Sequence, residues 1–271
     1  MGQVNNNGVM IHYEVEGDGP PLTLMHGMGG SIQNWRRAGY IDALKDQYRL
    51  VLVDSRGFGQ SDKPHEVSAY TRQAKVSDVT AVLDDLGIGT THYWGYSMGA
   101  SNGWAMAMLN PERLRSMVLG GYPALPEQAS PETVVRWQSR AKLMRAGMDL
   151  YIAGVQMEGG VMPGELQQRL LANDGEAYAA QQLANLEWGV PDADIRAIST
   201  PALVYSGTED HAHPGFDNHE ICKRCVSLAQ NMSFIPVPDH THTQTFADRE
   251  FILPHALKFL AEQEAAVAAS V

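Results

Sequence analysis

The sequence predicts an α/β protein: a mostly parallel, doubly wound sheet flanked by helices, with a helical cap insertion. Three observations lead there. Short apolar runs of strand length alternate with stretches of helical periodicity, an order that implies parallel strands joined by crossovers. Residues 91–100 carry Gly95-Tyr96-Ser97-Met98-Gly99 between a strand-like run and a helix-like one. Over residues 123–192 the strand pattern gives way to helical segments rich in Met, Ala, Gln and Arg.

The elements follow in order. Residues 9–15 alternate as a half-buried strand, and Gly17-Asp18-Gly19-Pro20-Pro21 breaks it. Leu22-Thr23-Leu24-Met25-His26 is a second apolar run, ending in His26-Gly27-Met28-Gly29-Gly30-Ser31, whose glycines let the backbone bend close to a ligand and offer it amides. Residues 48–54 give another strand, leading into the Gly-rich turn Asp54-Ser55-Arg56-Gly57-Phe58-Gly59-Gln60-Ser61, read as structural. Val76, Val79, Leu83 and Leu86 recur at helical spacing with Asp78, Asp84 and Asp85 between them, an amphipathic helix over 71–86 that closes at Gly87. Trp104, Met106, Met108 and Leu109 suit a buried helix after Ser97, and residues 115–119 supply the next strand. After the insertion, residues 201–207 and 232–237 restore strands, a helix over 251–264 closes the chain, and residues 265–271 read as a frayed end. The expected division is a core in two parts, 1–122 and 193–271, with the cap at 123–192.

Composition narrows the classes. With 271 residues, 44% hydrophobic and 19% charged, the chain has the make-up of an ordinary globular protein, and no apolar run is long enough to span a bilayer. A formal net charge of -11 disfavours nucleic acid and anionic membrane as partners, which call for clustered Lys and Arg. The opening residues show no basic-then-apolar signal, and Asn6 stands where a myristoylation motif needs Ser or Thr, so a cytoplasmic location is expected. Cys222 and Cys225 form a Cys-x-x-Cys preceded by His211, His213 and His219. Without a second pair, and late in the chain on a helix expected at the surface, they fit neither a zinc ribbon nor a thioredoxin-like motif. Oligomeric state leaves no mark in the sequence.

The pentapeptide around Ser97 carries the chemistry. A turn that sharp between strand and helix strains its central residue, so the positions two before and two after must be small. Gly95 and Gly99 meet that demand, Ser97 projects, and the amide of Met98 heads the following helix, where it can donate to a developing oxyanion. On the pentapeptide alone, a Gly-rich turn with an incidental serine is the competing reading.

Taken together, these residues resemble the α/β-hydrolase fold family across nearly the whole chain outside the insertion. The marks come in that family's order: His26-Gly27 after the third strand, the Asp54–Ser61 turn after the fourth, and Gly95-Tyr96-Ser97-Met98-Gly99 after the fifth. The family pattern of strand, Gly, two residues, Asp and a nearby Pro is matched by Gly207-Thr208-Glu209-Asp210 and Pro214, which makes Asp210 the implied acid and Glu209 its fallback. The implied base lies in Pro238-Asp239-His240-Thr241-His242. His242 keeps the family's spacing to an aromatic, Phe246, and the last helix, whereas His240 needs a loop two residues longer. His26, in the same family, organises the oxyanion loop. Tyr96 and Trp35 suit a pocket wall and a packed core equally, and Met144, Met148, Met157 and Met162 suit ordinary packing or an adaptable apolar lid.

The resemblance implies a serine hydrolase of a small to medium carboxylic ester or lactone. Ser97 attacks with His242 as base and Asp210 fixing its tautomer, the amides of Met28 and Met98 hold the oxyanion, and no metal or organic cofactor is required. Dehalogenase and epoxide hydrolase relatives put Asp at the elbow, against which Ser97 argues. Two other classes stay open. One is a carbon–carbon bond hydrolase of a ring-fission product, for which Arg140, Lys142 and Arg145 offer charge, though a solvated helix face explains them as well. The other is a slow ligand sensor on a hydrolase fold.

Overall fold

Gly2, Val4 and Asn6 face inward while Gln3 and Asn5 face solvent, and this alternation makes the first residues a strand, β1 (Gly2–Asn6), antiparallel to β2 (Val9–Glu16). The sheet therefore starts one strand before the run at Val9. The connection is Asn7-Gly8, at φ 53° and 89°, the dipeptide that favours a two-residue hairpin. The computed structural model describes residues 1–158, 160, 162–213 and 216–269. Pro214, Ser270 and Val271 lie outside the described residues.

The other strands of the sheet are β3 (Pro21–Met25), β4 (Arg49–Val53), β5 (Thr91–Tyr96), β6 (Leu114–Gly120), β7 (Ala202–Gly207) and β10 (Met232–Val237). Between the last two, β8 (His211–His213) and β9 (Phe216–Asp217) pair as a separate ribbon. The eight-stranded order is β1-β2-β4-β3-β5-β6-β7-β10, antiparallel through β2 and β4 and parallel beyond.

Both faces of the sheet are covered, which is why its central strands carry apolar side chains on both faces. Val51, Val53, Tyr93, Met117, Leu119 and Val204 pack on one face against α3 (Arg72–Asp85), α4 (Met98–Leu109), α9 (Asp192–Ala197) and α10 (Asn218–Leu228). Leu50, Leu52, Trp94, Tyr96, Val118 and Tyr205 pack on the other against α1 (Ile32–Arg37), α2 (Tyr40–Leu44) and α12 (Arg249–Ala269). The strand period of two thus sorts neighbouring residues into two cores. Trp35 is fully buried between Tyr40 and Trp94, in the second core.

The helical insertion comprises α5 (Pro131–Ala146), α6 (Met148–Met157), α7 (Gly164–Leu171) and α8 (Gly175–Ala184). Ser130 and Asp174 cap α5 and α8 by accepting from the amides of Thr133 and Ala177. The chain enters and leaves side by side, the Val190 amide donating to the Leu125 carbonyl at 2.9 Å. Met144, Met148, Tyr151, Leu170 and Tyr178 settle on Phe58 and Met98, so the insertion covers the head of α4. A short helix, α11 (His242–Ala247), precedes α12.

A buried lysine is among the polar contacts that tie the insertion to the core. Lys75 of α3 is 1% exposed, and its Nζ donates to Ser55 Oγ at 2.6 Å and to Gln181 Oε1 of α8 at 2.7 Å. Burial of the ammonium pushes its pKa down to about 7, which Asp78 partly counters. An unfolded lysine holds its proton to about pH 10.4. Between pH 7 and about 10 the unfolded chain therefore binds more protons at this position, and stability gains with rising pH, by at most ~1.4 kcal/mol per pH unit. Denaturant unfolding at pH 7, 8 and 9 should show wild type gaining stability relative to Lys75→Met. Parallel pH slopes would mean that Lys75 keeps its proton in the fold.

Candidate active site

Ser97 joins β5 to α4 at φ 55° and ψ -118°, a region that side chains rarely adopt. The cause lies in its neighbours. A Cβ on Gly95 would stand 2.2 Å from the Gly99 carbonyl oxygen, and one on Gly99 would stand 2.0 Å from the Met25 carbonyl oxygen. Helix α4 is thereby pressed against the end of β3, and the chain can enter it only through a tight turn. The Ser97 amide donates to the Gly120 carbonyl at 2.8 Å, fixing the turn to β6.

Three predicted site residues come together here. His242 Nδ1 lies 2.8 Å from Asp210 Oδ2, and His242 Nε2 lies 2.9 Å from Ser97 Oγ. A carboxylate can only accept, so the proton sits on Nδ1, and Nε2 is left to accept from the serine hydroxyl. Asp210 is 1% exposed, and its second oxygen accepts from Asn218 Nδ2 at 2.9 Å. Burial lowers the proton affinity of His242, but the charge and hydrogen bond of Asp210 outweigh it, and the pKa is raised above 6.5.

His242 stands at the first position of α11 and not in an extended loop. The Thr241 amide donates to Gln244 Oε1 at 3.0 Å, and Phe246, one turn on from His242, packs 4.8 Å from Tyr96 and 5.1 Å from Trp35 between ring centroids. Tyr96, 4% exposed, both lines the cavity at Ser97 and donates its hydroxyl to the His242 carbonyl. His240 points elsewhere: its Nδ1 lies 2.6 Å from the Pro238 carbonyl and its Nε2 lies 3.1 Å from Asp248. Glu209 is exposed, 3.7 Å from His211.

The loop after β3 lies directly against the elbow. A Cβ on Gly27 would sit 3.1 Å from Ser97 Cβ, so the chain carrying the Met28 amide passes beside the hydroxyl. The Met98 amide opens α4, where a helix leaves its first donors unpaired. His26 is fully buried; its Nε2 accepts from the Ser55 amide at 3.1 Å, so Nδ1 carries the proton and donates to the Gly27 carbonyl at 2.8 Å. Burial lowers its pKa, which keeps the ring neutral and holds the loop in place.

A cavity of about 400 Å³ opens over Ser97 and His242, lined on its apolar side by Met28, Leu166 and Phe246. Arg169 of α7 also lines it, a residue with no signal in the sequence, since the docking of α7 alone brings it there. The cations expected to hold an acidic substrate lie elsewhere. Arg140 pairs with Glu158 at 3.0 Å, Arg145 pairs with Glu176 at 3.1 Å, and Lys142 is exposed. Met144 and Met148 are buried packing residues, Met157 is 89% exposed, and none of the cap methionines lines this cavity. Cys222 and Cys225 do not face the surface as their helix suggested: both are free and fully buried, and burial pushes the Cys225 thiol up to about 11. Among the described residues, no group of three or more His, Cys, Asp or Glu side chains could hold a metal ion. No helix among them is long and apolar enough to cross a membrane.

Residues 20–154 match the sequence model of the alpha/beta hydrolase fold. The chain is 31% identical over 267 residues to the Bacillus subtilis (strain 168) protein assigned as a 2-succinyl-6-hydroxy-2,4-cyclohexadiene-1-carboxylate synthase, covering 89% of this chain and 93% of that one. It is 28% identical over 229 residues to 3-oxoadipate enol-lactonase 2 of Acinetobacter baylyi (strain ATCC 33305 / BD413 / ADP1), covering 80% and 82%. Several epoxide hydrolases also match, but the chain spans 60% of their length or less. Among solved structures, a thermophilic esterase from Thermogutta terrifontis superposes with a TM-score of 0.82 at 23% identity, over 96% of this chain and 98% of that one.

The elbow contacts set a stability test. Gly99→Ala should lower the free energy of unfolding by about 3 kcal/mol or more, because neither the β3 carbonyl nor α4 can give way. Gly89→Ala, where a Cβ would meet nothing within 4 Å, should change it by less than about 1 kcal/mol. Equal losses in denaturant unfolding would show that α4 is not pressed against β3.

Proposed function

The chain belongs to the α/β-hydrolase fold family, and from that premise we propose that it hydrolyses a small carboxylic ester or lactone through a Ser97 acyl-enzyme. The observation that carries the reading is the unbroken path from Asp210 through both nitrogens of His242 to Ser97 Oγ, at 2.8 and 2.9 Å. His242 takes the hydroxyl proton as Ser97 attacks the acyl carbon, and the imidazolium that forms is stabilised by Asp210. The tetrahedral oxyanion is held by the amides of Met28 and Met98. His242 gives its proton to the departing alkoxide. Water then attacks the acyl-enzyme with His242 as base again, and Ser97 is regenerated with release of the acid. Residues 123–192 act as the cap that closes the site from water.

The nucleophile separates this reading from epoxide opening. A serine that opened an epoxide would form an ether, which water does not cleave, whereas a carboxylate forms an ester that turns over. Carbon–carbon bond hydrolysis can use the same triad, but two of the cap cations expected to serve it are tied up in ion pairs. The lactonase and esterase among the similar proteins favour the ester or lactone reading.

Ser97→Ala should abolish hydrolysis of 4-nitrophenyl esters and labelling by a fluorophosphonate probe while the thermal melt stays close to wild type. Labelling that persists in the variant would place the nucleophile elsewhere. His242→Ala should be inactive whereas His240→Ala keeps a substantial fraction of turnover; the reverse pattern would exchange their roles. Since His242 must be neutral to act as base, kcat/KM should fall with decreasing pH through a pKa above 6.5. An acid limb lying below that value would break the link to Asp210.

A further inference from the structure

Arg169 is out of place for a solvated cation. It stands on α7 and lines the same cavity as Ser97 and His242, and its Nε is buried without a hydrogen-bond partner. Among the described residues its guanidinium enters no ion pair, and the side-chain bond that Arg169 does share, from Asn173 Nδ2, goes to its backbone carbonyl and leaves the guanidinium free. The other insertion arginines behave differently: Arg136 and Arg140 share Glu158, and Arg145 holds Glu176. Glu165, one turn earlier on α7, lines the cavity too and attracts the guanidinium, but it does not reach ion-pair distance, and Arg37 adds positive charge from α1.

A guanidinium partly withdrawn from water and left unpaired is costly, and its planar fork matches a carboxylate. The cavity that Arg169 shares with Ser97 is mostly apolar, with Met28, Leu166 and Phe246 in its wall beside the polar Asn34, Thr243 and Gln244. At about 400 Å³ the space suits a small molecule and not a polymer. We propose that Arg169 sets the specificity of this cavity by binding a carboxylate on the substrate, which is therefore a small anionic ester or lactone with a short apolar body between the carboxylate and the carbonyl that Ser97 attacks. This rests on the reading of Ser97 as nucleophile.

The test compares 4-nitrophenyl hexanoate with the mono-4-nitrophenyl ester of adipic acid, two acyl chains of equal length that differ in a terminal carboxylate. Arg169→Met should lower kcat/KM for the adipate ester, relative to that for the hexanoate ester, by about tenfold or more. Arg169→Lys should recover part of the loss, and Glu165→Gln, which removes a competing charge, should favour the anionic ester further. Adipate itself should inhibit wild type competitively, and its Ki should rise by about tenfold in Arg169→Met. Calorimetric binding of adipate to Ser97→Ala, with and without Arg169→Met, reads the same contact with no turnover at all. Arg169-dependent adipate binding in a protein that hydrolyses neither ester would sustain the anion contact and overturn the hydrolytic reading. Equal losses on both esters, or no adipate inhibition of a wild type that turns over the hexanoate ester, would overturn the anion contact and leave the hydrolase.

Discussion

The close approach of α4 to the end of β3 is the constraint from which the site follows. With Gly99 against the Met25 carbonyl and Gly95 against the Gly99 carbonyl, no side chain fits at either position. The residue between them is forced to positive φ and lifted clear of the sheet. The strain at Ser97 is held by packing on both sides: Trp104, Ala105 and Met106 of α4 sit in one core, and Trp94 and Tyr96 of β5 sit in the other. Relaxing the turn would mean withdrawing α4 from the first or β5 from the second. The same geometry puts the first amide of α4 beside the serine, so a steric demand of the backbone and an electrostatic feature of the helix terminus fall at one point.

The partners of Ser97 reach it from different elements, and each is oriented from behind. Asn218 of α10 donates to Asp210, Asp210 accepts from His242, and His242 accepts from Ser97. Every link has one permitted direction, because a carboxylate cannot donate and Nε2 has no proton left. His242 is also held by its backbone, through the Tyr96 hydroxyl on its carbonyl and through Phe246 in the aromatic cluster of Trp35 and Tyr40. Tyr96 immediately precedes Ser97, so the residues on both sides of the hydrogen bond between Ser97 and His242 are locked to the same core.

How much of this was legible depended on the kind of signal each residue leaves. Gly95 and Gly99 were readable because a steric rule dictates them, and the sheet was readable because buried parallel strands are written as apolar runs. Asp210 and His242 came from a family pattern; spacing alone does not bring residues 32 apart to one point. Strand β1 went unread although Asn7-Gly8 advertises a hairpin, since its inward residues, Gly2, Val4 and Asn6, are scarcely hydrophobic. Helices α1, α2 and α11, five or six residues each, are too short to print a period. For α11 the local sign was Thr241-His242-Thr243-Gln244, a capping pattern that places His242 on a helix. The inward turn of Cys222 and Cys225 and the position of Arg169 were beyond reach, because which face of a helix is covered is decided by the element that docks on it.

Net charge and local charge then point in opposite directions at this site. At -11 the chain as a whole repels an anion at long range, while composition leaves the substrate open. That repulsion acts over distances at which salt screens it, about 8 Å at physiological ionic strength, whereas a contact inside a cavity from which water is withdrawn is screened far less. One unpaired guanidinium lining the same cavity as the proposed nucleophile can therefore decide what binds there, against the sign of the surrounding surface. Within the insertion, Glu158 and Glu176 are held by neighbouring arginines. Arg169 is kept from such a partner by the position of α7 over the elbow, and the fold thereby leaves a positive charge where the sequence composition gives no hint of one.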